Sequence, residues 1–371
     1  MWPLTPWWLA DKDGSSTGKR SGQIRIIVGR ATFFTFSMVS DSTTQLPSTA
    51  AAGELPFLSI SIPTYNRAEL LDQCLARLAN ELRDSKQLVE LIISNNASTD
   101  ATREVAQRFK EYFSRFRYVE NETNIGADGN IAQAFRLAAG QYVWVFSDDD
   151  SLLPGYLATL LEILAAQQPG VLHLTSVWHN GLTVPDYGAP VPLQYATYSG
   201  LEFIRRVHHW TTFITANIIH KSLVADLPLT YAFPDTNLVQ LGWTLPAIFK
   251  ATQNVVVSTP VIAAKSESSG NYKAFQTFAT NFSRILQRLA QAKEIPVEAS
   301  HIISLAMLRG EFPRMLMAND FGKSGKYVAE PIFRTLLANY WQYPAFWRHI
   351  ALAYLKRPVR PVWHRAKSLL R

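Results

Sequence analysis

At 371 residues, 47% apolar and 18% charged with a formal net charge of +7, the chain can bury one large core or two smaller ones and is not composed like a disordered or fibrous protein. A single cysteine, Cys74, excludes an internal disulfide framework and a cysteine-based zinc site, so cytoplasmic residence is the expectation. No run of about 18 apolar residues occurs, which leaves no candidate for a membrane-spanning helix.

Residues 1–53 are expected to be a disordered or non-native lead-in, because residues 38–53 are small and polar and Met38 can serve as a start. From Pro56 the pattern becomes regular. Phe57 to Ile62 reads as a short strand. A helix follows with Asn66 as its cap, Glu69 three residues on, and Leu70, Leu71, Cys74, Leu75, Leu78 and Leu82 on one face. Leu88 to Ser94 predicts a buried strand, Ser98 caps the next helix, and Val105, Phe109, Tyr112 and Phe113 mark that helix's apolar face. Phe116 to Glu120 predicts a third strand, Ala127 to Ala139 a third helix, and Tyr142 to Phe146 a fourth strand apolar enough to be buried on both faces. Strand and helix in alternation predict an α/β fold: a mostly parallel sheet flanked by helices over residues 54–270, with a helical region over 271–371.

Ligands of such sheets bind beyond the carboxyl ends of the strands, where loops converge and helix N-termini present free N–H groups. Four polar clusters fall at those ends: Thr64 to Arg67, Ser94 to Asn96 with Ser98 to Asp100, Asn121 to Asn130, and Ser147 to Asp150. Three consecutive carboxylates after a buried strand raise one another's pKa unless a cation neutralises them. An oxygen-only ligand set at Asp148, Asp149 and Asp150 favours Mg²⁺ or Mn²⁺ over zinc, and such ions complete their shells with diphosphate oxygens.

The runs Ser61-Ile-Pro-Thr-Tyr-Asn-Arg67, Ile93-Ser-Asn-Asn-Ala-Ser-Thr-Asp100, Asn124-Ile-Gly126 with Asn130, Gly140-Gln-Tyr142 and Ser147-Asp-Asp-Asp150 before Pro154 resemble the signatures of the family 2 glycosyltransferases with the GT-A fold, of the bacterial polysaccharide and O-antigen type. The resemblance implies that Pro63, Thr64, Tyr65 and Arg67 border the nucleoside, that Asn95 or Asn96 stands where the base is read, and that the aspartates bind the metal and diphosphate. The residues agree with these roles: Arg67 can pair with phosphate, Tyr65 can stack on a base, and the Asn124–Gly126 turn lets backbone approach a donor. Two departures stand out. Asn95 and Asn96 are neutral where the family is usually acidic, which leaves UDP-, CDP- and dTDP-sugars open as donors. Ser147 replaces the first Asp of the metal motif, so Asp148 and Asp150 are the first choice as ligands, with Asp149 close behind.

Inverting transfer needs a general base for the acceptor hydroxyl. The resemblance puts it on a carboxylate in the second half of the domain. Asp235 is the choice, Glu202 and Asp226 are rivals, and Asp235 can instead cap the following helix. After Glu330 the chain has eight basic and no acidic residues, interleaved with Trp341, Trp347, Tyr354 and Trp363. That tail is expected to seek an anionic membrane surface, which places the protein peripherally on the inner face of the cytoplasmic membrane, with a lipid-linked or glycan acceptor and no nucleic acid partner. The competing reading is a non-catalytic nucleotide-sugar or carbohydrate-binding protein.

Overall fold

The computed structural model describes residues 55–355 except 84, 86, 182–183, 267–271, 318–327 and 329. The lead-in expected over residues 1–53, and the basic tail from Lys356 onward with Trp363, lie outside the described residues.

The first half of the chain alternates as expected: β1 (Leu58–Thr64), α1 (Ala68–Glu81), β2 (Val89–Asn95), α2 (Thr102–Arg108), β3 (Phe116–Glu120), α3 (Ala127–Leu137) and β4 (Tyr142–Val145). Then come β5 (Ser151–Leu152), α4 (Leu157–Gln167), β6 (Val171–His179), β7 (Tyr195–Tyr198), α5 (Gly200–Val207), β8 (Asn217–His220), α6 (Leu241–Lys250) and β9 (Asn254–Lys265). The sheet order is β3-β2-β1-β4-β8-β6-β9-β5, with β7 paired to β9. Strands β3, β2, β1 and β4 are mutually parallel, as are β6 and β9, whereas β8 runs antiparallel to both β4 and β6. The parallel register brings Thr64, Asn95, Glu120 and Val145 to one edge of the sheet.

Period-two alternation divides the strands between two cores. Leu91 and Ile93 of β2, with Tyr142 and Trp144 of β4, face one side against α1 and α4. Ile92, Val143 and Val145 face the other, against α3 and α6. Burial on both faces explains the unbroken apolar run in β4. Pro63 sits inside a central strand without cost. It shares the side of Ser61, whose carbonyl receives the Phe146 N–H, and beyond Phe146 the chain has turned away from that side.

The helix caps differ from expectation. One carboxylate, Asp100, serves both helices: one oxygen accepts the Ala68 N–H at the start of α1 and the other accepts the Thr102 N–H at the start of α2. Asn66, at φ 51°, instead accepts the Thr99 N–H and donates its own N–H to the Ser98 hydroxyl. Asn66 and Ser98 thus tie the two loops together rather than cap their helices.

The C-terminal part is helical, as expected: α7 (Phe282–Gln291), α8 (Val297–Ala306), α9 (Phe312–Met317), α10 (Ile332–Tyr340) and α11 (Leu352–Leu355), with π-helical turns at Gln276–Asn281, Met307–Glu311 and Phe346–Ala351. Its apolar residues Phe275, Phe282, Phe312 and Phe346 belong to the same core as Phe135 of α3 and Trp243 of α6, whose rings stack at 4.4 Å.

Candidate active site

The site starts where β4 ends. The turn from Ser147 to Asp150 closes with the Asp150 N–H on the Ser147 carbonyl at 3.2 Å, and its three carboxylates diverge. Asp148 is buried, one oxygen accepting the Thr64 hydroxyl at 2.7 Å and the other an Arg67 N–H at 2.8 Å. Asp149 accepts from the Ser147 hydroxyl at 2.5 Å and from Arg67 at 3.3 Å. Asp150, also buried, turns the opposite way to the Thr215 hydroxyl at 2.6 Å and the Lys265 N–H at 3.1 Å. Without a bound ion the three side chains thus take separate partners. Among the described residues no three His, Cys, Asp or Glu side chains form a ready metal cage.

Charge balance still fits a cation. Three carboxylates face one guanidinium. Burial pushes Asp150 up to about 7, with Asp149 adding to the shift, and raises Asp148 as well, against the pull of Arg67 and Thr64. Burial opposes the charge on Arg67, but Asp148, Asp149 and Asp150 outweigh it and hold the guanidinium above its ordinary range. The longest of the six contacts to the triplet is Arg67 to Asp149, so Asp149 has the least committed oxygen.

The opposite wall is built from amides. Asn96 is buried; its nitrogen donates to the Asn124 side chain at 2.9 Å and to the Gly126 carbonyl at 3.2 Å, while its oxygen accepts from Asn121 and from the Ile125 N–H. Asn95, buried too, donates to the Tyr118 hydroxyl and accepts the Ser98 N–H. Asn130 clasps Ser94 and reaches the Thr64 carbonyl. These side chains are spent on fixing the loops. Gly126, at φ 79° with open space where a Cβ would stand, leaves the N-terminus of α3 facing out beside exposed Asn124. Tyr65 lies at the rim, 42% exposed.

Asp235 is exposed at φ 57°. It is not the cap of α6, which begins at Leu241. Its loop is fastened to the mouth of the site: one oxygen of buried Asp128, in the first turn of α3, accepts the N–H groups of Thr236 and Asn237 at 2.7 and 2.8 Å. Burial raises the Asp128 pKa, and the nearby charge of Asp235 adds to it. Of the rivals, Glu202 forms a capping box with Ser199 at the start of α5. Asp226 follows β8 at the far end of the sheet, where the Lys221 ammonium reaches the Ala138 carbonyl.

Four residues of the site carried no sequence signal. Thr215, Lys265 and Asp128 act through contacts 65, 115 and more than 100 residues distant in the chain, which no local pattern encodes. His179 ends β6 opposite Lys265 and is buried. Burial and the nearby Lys265 lower its pKa, and its strand partner Lys265 carries the N–H that binds Asp150.

Comparison with known proteins gives the family of the domain that holds this site. Residues 59–223 match the model of glycosyl transferase family 2. The chain carries a family 2 glycosyltransferase domain. It is 37% identical over 111 residues to the abequosyltransferase RfbV of Salmonella typhimurium, a stretch covering 30% of this chain and 33% of that protein. It is 36% identical over 109 residues to the GalNAc(5)-diNAcBac-PP-undecaprenol beta-1,3-glucosyltransferase of Campylobacter jejuni, covering 29% and 34%. The match thus spans about a third of the length of these relatives. Among solved structures, S. aureus TarS 1–349 in complex with UDP-GlcNAc superposes with a TM-score of 0.53 at 18% identity, over 70% of this chain and 79% of that one. The fold of this glycosyltransferase domain is GT-A.

Proposed function

We propose that the chain is an inverting glycosyltransferase that moves a sugar from a nucleoside-diphosphate sugar, UDP-linked before CDP- or dTDP-linked, to a lipid-linked or polysaccharide acceptor in cell-surface glycan synthesis. The observation that supports this reading is the adjacency of two groups at the carboxyl ends of β1, β2 and β4, where the Thr64 hydroxyl binds Asp148 and the Thr64 carbonyl accepts the Asn96 N–H. In one, the carboxylates of Asp148, Asp149 and Asp150 share the single positive charge of Arg67; in the other, the exposed N-terminus of α3 lies behind Asn124 and Gly126. The sugar-transfer activities of the two relatives and the UDP-GlcNAc held by TarS support it.

In this reading Pro63, Thr64, Tyr65, Asn95, Asn96 and Asn130 shape the nucleoside pocket. Tyr65 offers its ring, while the asparagines hold the loops that surround the base. Arg67 is placed to exchange its long contact with Asp149 for a phosphate oxygen, and α3 directs its positive end at the same charge. Mg²⁺ or Mn²⁺ would be held at the Asp149 edge of the triplet, flanked by Asp148 and Asp150, and when bound would stabilise the leaving diphosphate as charge develops. Asp235 takes the proton of the attacking acceptor hydroxyl.

The protein works against an anionic membrane surface. Trp341 and Trp347 are 61% and 52% exposed beside Arg348, and Leu355 is 71% exposed, an aromatic and basic face of the kind that settles at head groups. Sedimentation with anionic liposomes should fall when the exposed Trp341 and Trp347 are replaced by alanine together with Arg348→Gln, and unchanged sedimentation would count against membrane binding.

Thermal-shift measurements with UDP, CDP, GDP and dTDP, with and without Mn²⁺, test the donor site. UDP with Mn²⁺ should shift most and CDP next. Slow hydrolysis of the UDP-sugar, abolished by Asp150→Ala, separates an enzyme from a binding protein, and a shift that ignores the metal would refute the proposed ligand role.

A further inference from the structure

On the flank of the carboxylate turn away from the nucleoside wall, three large rings gather without being buried. Trp178 of β6, and Trp210 and Phe213 of the 3₁₀ turns before β8, are each partly exposed. The Trp178 ring lies 5.1 Å from Phe213 at 35° and 6.1 Å from Trp210 at 40°, so the three make a continuous tilted shelf.

The shelf is held from beneath by buried polar groups. The Asn217 amide nitrogen donates to the carbonyls of Thr211 and Phe213, and its oxygen faces His173 Nδ1 at 2.9 Å. Gln240, also buried, donates to the Thr212 carbonyl at 2.7 Å. Buried hydrogen bonds of this kind fix backbone geometry, and rings so held stack on a ligand with little further loss of freedom.

Two links tie the shelf to one carboxylate. Phe213 is two residues before Thr215, whose hydroxyl binds Asp150, and Trp178 precedes His179, whose strand partner Lys265 gives Asp150 its N–H. In the sheet order the amide wall belongs to β2 and β1, the carboxylates to β4, and the shelf to β8 and β6. A donor seated with its base on the amide wall and its diphosphate at the carboxylates would present its sugar toward the shelf side.

We propose that Trp178, Trp210 and Phe213 form the subsite for the acceptor's terminal pyranose, stacking an axial C–H face of the ring on the indole of Trp178. The inference rests on the transferase reading for its orientation, but the shelf's affinity for a sugar can be measured without the donor. Aromatic rings bind pyranoses through apolar C–H faces as they bind other apolar surfaces, while the sugar's hydroxyls keep their water.

Saturation-transfer NMR on the full-length protein, with the methyl glycosides of glucose, galactose, N-acetylglucosamine and rhamnose, provides the test. At least one should receive saturation, strongest at its axial ring protons. The signal should fall at least 5-fold in Trp178→Ala and Phe213→Ala and persist in Trp178→Phe. The UDP–Mn²⁺ thermal shift should be unchanged in all three variants, which shows that they are folded and separates this subsite from the donor site. No saturation transfer to any glycoside in the wild type, or transfer that survives Trp178→Ala and Phe213→Ala, would overturn the proposal. Absence of the nucleotide shift in the wild type, with the glycoside signal intact, would sink the transferase reading and leave the sugar shelf standing.

Discussion

Thr215 donates its hydroxyl to Asp150 at 2.6 Å and accepts the Ser147 N–H at 3.1 Å on the same oxygen, so one side chain clamps both ends of the carboxylate turn. Thr215→Val keeps the shape and removes both bonds. Leaving one oxygen of buried Asp150 and the half-buried Ser147 N–H without this partner should cost about 1–3 kcal/mol. Urea denaturation should show that loss, and the nucleotide thermal shift should shrink with it. A variant as stable as the wild type would mean that the turn holds itself.

Asp235→Asn preserves size and left-handed backbone tolerance while removing the proposed base. Transfer should fall by about 10²–10⁴-fold with donor affinity unchanged. Asp128→Asn tests the same arrangement one step back. With a weaker acceptor for the Thr236 and Asn237 N–H groups, the loop should loosen and kcat fall while the nucleotide shift remains. Equal turnover in both variants would move the base elsewhere.

His173 supplies a pH dependence of stability. Burial lowers its pKa from 6.5 to about 4, and its Nδ1 faces the Asn217 oxygen. The unfolded chain takes up a proton below about pH 6.5 that the folded protein refuses until about pH 4. Stability from this group is therefore complete above pH 6.5 and is lost progressively as pH falls toward 4. The full span is on the order of 3 kcal/mol. His208, lowered to about 4 by burial and by Arg314, acts in the same direction. Denaturation midpoints across pH 4–7 should show the slope, and His173→Gln should flatten part of it.

Gly140 is required by packing. A Cβ there would lie 2.7 Å from the backbone nitrogen of Ser59, and the Gly140 N–H already donates to the Ser59 hydroxyl. Gly140→Ala should destabilise the protein by about 1–3 kcal/mol without altering donor specificity. Equilibrium unfolding measures it; a neutral result would mean that β1 and the turn before β4 can part cheaply.

Much of this was legible in the sequence. Strand β4 announced itself because burial on two faces demands an unbroken apolar run, Tyr142 to Val145, and the polar clusters marked the ends of β1, β2 and β4. Local wording failed where the partner is remote. Asn66 and Ser98 looked like helix caps, but tertiary structure gave both capping duties to Asp100 and used the other two as a clasp between loops. The partners of the three adjacent aspartates were equally hidden: Asp150 meets Thr215 and Asp148 meets Arg67, both remote in the chain. The shelf of Trp178, Trp210 and Phe213 was invisible for the same reason: its members come from separate elements and meet only in space.

The shared core of Phe135, Trp243, Phe275, Phe312 and Phe346 packs the sheet-bearing half and the helical half around one interior. A gene cut near residue 270 would yield a protein with its interior laid open on one side. Recombination with a relative would have to carry the helices along, or rebuild the surface of α3 and α6 that they cover.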